Sequence, residues 1–186
     1  MRRIALVLAL AASSAAAQER KAVEAGPDVE LTVYLVRMAE GAEADTGPDA
    51  VPKELEETVA RLKASEIGSK RSFRLAETFR MRASTVVDAA SPSGRALLLR
   101  EPSITRTRPD AQQKASGPTV DSLRVASLEF LVGGTIRLNF FEISFQGLSS
   151  QLGGKADLPA GQPQMLGMVG GEPAPVFVLL AARAAQ

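Results

Sequence analysis

The chain has 186 residues, with 22 Lys and Arg against 21 Asp and Glu, 45% apolar residues, no histidine and no cysteine. Without cysteine there is neither a disulfide nor a lipoprotein acylation site, and without histidine the commonest general base and the commonest zinc ligand are missing. So even a charge balance argues against nucleic acid as the main partner, which favours a strongly basic surface.

The N-terminus has the three parts of an export signal. Arg2 and Arg3 give a positive start, residues 4–12 are an unbroken apolar run, and Ala15-Ala16-Ala17 fits a small-residue cleavage site. The apolar run is shorter than the roughly 20 residues a membrane-spanning helix needs. Cleavage after Ala17 removes two arginines, leaving 169 residues and a side-chain charge of −1. The mature chain is expected in the periplasm or outer envelope of a Gram-negative bacterium, with residues 18–28 a flexible lead-in and 29–186 a single β-rich domain.

Residues 29–38 read as a strand, with Val29, Leu31, Val33 and Leu35 on one face. Residues 41–52 are rich in Ala, Gly, Asp, Glu and Pro and read as a loop. Residues 52–65 read as a helix. Pro52 suits a first helical position, and Glu54, Glu56 and Glu57 sit near the positive end of the dipole. Leu55, Val59 and Leu62 form one narrow apolar stripe, which lays a helix on a sheet, crossing one of its faces between two strands. Residues 70–83 alternate again. Phe73, Leu75, Phe79 and Met81 share a face with Glu77 among them, and Arg74, Arg80 and Arg82 share the other.

Residues 94–101 form a short strand candidate, and the proline-bearing stretch 102–118 reads as a mobile loop. Two further strands, 119–131 and 135–146, are joined through Val132-Gly133-Gly134. In the second, apolar parity changes between Phe140 and Phe141, as a bulge there or a strand buried on both faces produces. Residues 147–161 read as a loop and 162–169 as a strand. Residues 175–184 are almost wholly apolar, as in a central strand buried on both faces. The expected fold is α+β: a mainly antiparallel sheet or sandwich of about six or seven strands with one packed helix.

The basic residues Lys70, Arg74, Arg80 and Arg82 are the candidate site for an anionic partner, with a solvated sheet face as the plainer reading. An apolar ligand between helix and sheet would meet Leu55, Val59, Leu62, Phe73 and Phe79. Glu40, Glu43, Asp45 and Asp49 lack the spacing of a calcium loop. Gly153-Gly154-Lys155 and the glycines from Gly167 to Gly171 lack that of a phosphate loop. Ser69 and Lys70 point to opposite faces of a strand and cannot act as a pair. Glu77 and Glu142 each interrupt an apolar strand face, where a carboxylate can be tuned for acid–base work or pair with arginine. No catalytic residue, metal or cofactor is assigned.

Gly161-Gln162, the stretch Met165-Leu166-Gly167-Met168-Val169-Gly170-Gly171 and the run Val176-Phe177-Val178-Leu179-Leu180 together resemble the ending of bacterial secretin-related envelope proteins. The segment Lys70-Arg71-Ser72-Phe73-Arg74-Leu75 and the helix before it are similar to a pattern in uncharacterised secreted proteins. The resemblance covers about a quarter of the chain, and the long body of a secretin is absent. It implies a role in envelope assembly, no catalytic residues, and another envelope protein as partner. A carrier of a small apolar ligand or lipid, a hydrolase of unrecognised type and an eight-stranded outer-membrane barrel are the alternatives. The barrel is disfavoured because the chain has no Trp and one Tyr with which to build aromatic girdles.

Overall fold

The computed structural model describes residues 24–40, 50–65, 71–108, 117–170 and 175–185. Its strands are β1 Ala25–Glu40, β2 Arg71–Val87, β3 Leu97–Thr107, β4 Thr119–Phe130, β5 Thr135–Gln146, β6 Gln151–Pro159, β7 Gln164–Val169 and β8 Val176–Ala184. A 3-10 turn, Lys53–Leu55, runs into the helix α1, Glu56–Ala64, between β1 and β2.

The eight strands make one antiparallel sheet in the order β6-β5-β4-β3-β2-β1-β8-β7. Strands β1 to β6 each lie beside the next, β7 lies beside β8 and β8 returns to β1, so the sheet curls into a nearly closed up-and-down barrel, with its open line between β6 and β7. The antiparallel β-rich fold with one packed helix agrees with expectation; the count of six or seven strands does not. The additional strand is β6, in the expected loop 147–161. Only Leu152, Ala156 and Leu158 of its side chains join the core, and its extended state comes from its ladder with β5. The expected loop 102–118 likewise begins as strand, because β3 runs past Pro102 to Thr107, paired with β2. β1 begins at Ala25, opposite Val86, so residues 25–28 of the expected lead-in belong to a strand.

Two apolar clusters lie on the two sides of the sheet. Inside the barrel, Val29, Leu31, Val33 and Leu35 meet Phe79, Met81, Leu138, Phe141, Ile143 and Val178. Outside it, Leu55 and Val59 cover Tyr34, Val36, Phe73, Leu75, Phe177 and Leu179. The sheet passes from one cluster to the other at a bulge: Leu35 faces Glu77 and Val36 faces Leu75, so Ala76 is the extra residue on β2. One inserted residue exchanges the faces of everything beyond it. Phe73 and Leu75 therefore point outward under α1, whereas Phe79 and Met81 point inward, although all four have the same parity in sequence.

The predicted phase change in β5 is also a bulge. Leu138 faces Ala156 and Phe141 faces Gly154, leaving Asn139 and Phe140 between them. Phe140 is exposed and Phe141 buried. In β8, residues 176–182 are buried on both faces, with the barrel interior on one side and the helix-covered cluster on the other.

No helix among the described residues is long and apolar enough to cross a membrane. A membrane barrel is apolar outside and polar within. This barrel has the reverse pattern: its interior is apolar, and exposed Arg80, Arg82, Arg124, Arg137, Lys155 and Asp157 stand outside it. On that exterior Arg137 grips Asp157 through two hydrogen bonds, of 2.8 and 2.9 Å, and holds its carboxyl below the usual range.

Candidate functional site

The barrel wall is split between β3 and β4. Their ladder consists of the single pair Leu97–Leu128. Beyond it β3 follows β2 alone, through Thr107. The departure starts at a bulge: Ser84 faces Arg100 and Arg82 faces Ser103, so Glu101 and Pro102 together oppose Ala83. Glu101 has φ 48°, the left-handed conformation that makes such bulges turn. Pro102 has no N–H to place in a ladder, and a strand bearing proline is suited to an edge.

Side chains span the gap that the missing ladder leaves. The Val120 N–H on β4 donates to Glu77 Oε2 on β2 over 3.1 Å. The Arg106 guanidinium on β3 lies 5.3 Å over the Phe79 ring and donates to the Asp121 carbonyl on β4 over 2.8 Å. Glu77 is 1% exposed; its other oxygen, Oε1, accepts no hydrogen bond and lies 3.9 Å from the Arg108 guanidinium. The carboxylate expected on an apolar strand face is thus at the split wall, substituting for a main-chain acceptor. Its companion Glu142 is half-buried on β5, opposite Arg124 of β4.

The far half of β3 is exposed throughout, from Arg100 to Thr107. Ile104 sits opposite Met81 and Arg106 opposite Phe79, so both take the inward-facing parity. Met81 is 4% exposed and Ile104 is 55% exposed, because β4 has moved away from it. Ser103 and Thr105 take the outward parity, beside Arg82 and Arg80. The β3 edge that β4 leaves carries main-chain groups with no strand beside them among the described residues.

The expected basic strip does not form one face. Arg80 and Arg82 are exposed on the barrel exterior, where Arg80 lies 3.4 Å from Glu30 and Arg82 3.7 Å from Asp28. The Ala76 bulge puts Arg74 on the opposite face, next to Arg37 of β1. Lys70 lies outside the described residues, as do Ser69, residues 1–17 and the acidic side chains considered for calcium, Glu40, Glu43, Asp45 and Asp49. The expected apolar-ligand group is divided as well. Leu55, Val59, Leu62 and Phe73 gather under α1, with the Phe73 and Phe177 rings 5.7 Å apart, while Phe79 is in the barrel core.

A second polar group borders α1. The Tyr34 hydroxyl donates to Glu54 Oε1 over 2.8 Å. Arg183 reaches Glu30 over 2.7 Å, so Glu30 lies between Arg80 and Arg183. Burial, with the hydrogen bond to Glu54 and its charge, pushes the Tyr34 hydroxyl well above the ordinary phenol range. The recess these residues line holds about 140 Å³, small beside the roughly 300–1,000 Å³ of ordinary ligand pockets.

Sequence reasoning missed Ile104 and Arg106 because Pro102 made their segment read as a loop. The available signal was Ser103-Ile104-Thr105-Arg106-Thr107, where small hydroxyl residues alternate with longer side chains at the strand period. Comparison with known protein families, curated proteins and solved structures finds no match to this chain.

Proposed function

We propose that this chain is a non-enzymatic binding protein of the bacterial cell envelope, exported by residues 1–17 and docking another envelope protein during assembly of a secretion or pilus system. The observation that carries this reading is the exposed half of β3, paired with β2 along one edge and, among the described residues, with no strand along the other. A free edge of this kind is where proteins commonly recruit a partner, because main-chain groups supply affinity and alternate side chains supply selectivity. The export signal and the C-terminal resemblance to envelope assembly proteins support the compartment.

A photoreactive amino acid placed at position 104, and separately at Val132 in the exposed β4–β5 turn, tests this in a Gram-negative host. The expected outcome is mature protein in the periplasm and an adduct with one envelope protein from position 104, absent from position 132. Retention in the cytoplasm with residues 1–17 intact, or adducts of equal yield from both positions, overturns it.

A further inference from the structure

Resting on that reading, we propose that the free edge of β3 takes an acidic, extended segment of the partner, added to the sheet as a further strand. The shape of the site selects an extended polypeptide. From Arg100 to Thr107 the strand is exposed, and the edge away from β2 presents N–H and C=O groups at the spacing of another strand. Nearby β4 already has substitutes for this ladder, since Val120 and Asp121 are met by Glu77 and Arg106. From residue 103 to 107 the β3 edge at the gap has no strand beside it among the described residues.

Charge selects the acidic character. The exposed run 100–108 carries Arg100, Arg106 and Arg108 against Glu101, and of the three it is Arg108 that lies beside Glu77, at 3.9 Å. Arg106 is held by a ring and a carbonyl, neither of which neutralises it. Ile104 and Arg106 share one face, so the complementary segment has an apolar side chain opposite Ile104 and a carboxylate opposite Arg106, two residues apart. Such cross-strand pairs are the unit by which sheets distinguish partners. Pro102 and the Glu101 bulge limit the usable edge to residues 103–107 and protect it from indiscriminate pairing.

The probe is a synthetic octapeptide, Val-Thr-Glu-Thr-Val-Thr-Glu-Thr, which puts Val and Glu two residues apart on one face, fluorescently tagged and titrated with the intact mature protein. Its controls are the same peptide with Lys for Glu, and two forms N-methylated at alternate positions, odd or even. The acidic peptide should bind and slow amide exchange in residues 103–107. The Lys form should bind at least tenfold more weakly. One N-methylated form should lose binding and the other keep it, because only alternate N–H groups face β3. Ile104→Asp, at an exposed position on the edge, should weaken binding tenfold with an unchanged melting temperature. Equal binding of the acidic and basic peptides, or of both N-methylated forms, overturns strand addition. So does protection of residues 103–107 that grows with protein concentration alone, which would show a second copy on the edge. If the peptide fails while position 104 still cross-links to one envelope protein, docking stands and the acidic added strand falls.

Discussion

Glu77 on β2 and Val120 on β4 are joined across a broken barrel wall: the Val120 N–H donates to the Glu77 carboxylate over 3.1 Å, with no β3–β4 ladder at that level. A side chain thus does locally what a neighbouring strand does elsewhere in the barrel. Leaving a buried N–H without an acceptor costs about 1–3 kcal/mol. Glu77→Leu should lower stability by about that amount, and Glu77→Gln, which keeps an acceptor oxygen, should lower it less. Urea denaturation of the two variants and the exchange rate of the Val120 amide provide the measurement. Equal losses from Leu and Gln would mean that the hydrogen bond is not what Glu77 contributes.

The split wall contrasts with the sealed junction at β8. Residues 176–182 are buried on both faces and tie the interior core to the helix-covered one. Each fully buried side chain of this size contributes roughly 1.5–3 kcal/mol, so several together rival a whole domain's net stability of about 5–15 kcal/mol. Deleting residue 175 onward should abolish the cooperative thermal transition. A truncated protein that melts cooperatively near the full-length midpoint would instead assign β8 to a detachable strand.

Tyr34 offers a pH test with a clean optical signal, because it is the chain's single tyrosine and there is no tryptophan. Its folded-state pKa is raised, chiefly by burial and then by Glu54. The unfolded chain releases the phenolic proton near pH 10, before the folded protein does. The stability Tyr34 contributes is therefore complete below about pH 10 and is lost as pH climbs toward the folded value. Melting temperatures should fall above that pH in the native protein and fall less in Tyr34→Phe. That variant should also be less stable at neutral pH by about 0.5–1.5 kcal/mol, the net worth of a typical hydrogen bond. Ultraviolet titration that finds an ordinary phenol pKa would contradict the Tyr34–Glu54 contact.

The β5 bulge separates two adjacent phenylalanines, one 48% exposed at Phe140 and one 4% exposed at Phe141. Phe141→Ala should cost about 3–5 kcal/mol, as a large-to-small core change does. Phe140→Ala should stay within about 0.5 kcal/mol, the range of ordinary surface changes. Equilibrium unfolding of both variants checks the register, and the reverse ranking would shift the bulge by one residue.

Arg80 and Arg82 are exposed and pair with acids at 3.4 and 3.7 Å. Exposed pairs contribute little, with a median near 0–1 kcal/mol. Changing both to Gln should leave the thermal transition nearly in place. Unfolding of the double variant would place these side chains inside the barrel.

The amino-acid pattern alone determined the elements with a strong period of their own. The alternation at Val29, Leu31, Val33 and Leu35 identified β1, the stripe Leu55, Val59, Leu62 identified the helix, and the parity change at Phe140-Phe141 marked the place where the β6 ladder then showed a bulge. The apolar run in β8 announced burial on both faces. These features are legible because each follows from which side chains one segment must hide from water. Tertiary structure decided the rest. β6 is extended because β5 lends it a ladder, and little in Gln151-Leu152-Gly153-Gly154-Lys155 requires it. The bulge at Ala76 sends Phe73 outward and Phe79 inward, and no alternation within β2 reveals it, because a register shift is defined only against the opposite strand. The candidate site has the same origin. Ile104 lies exposed beside a free edge because β4 leaves β3 after Leu97, and which strands part is settled by the pairing of the whole sheet.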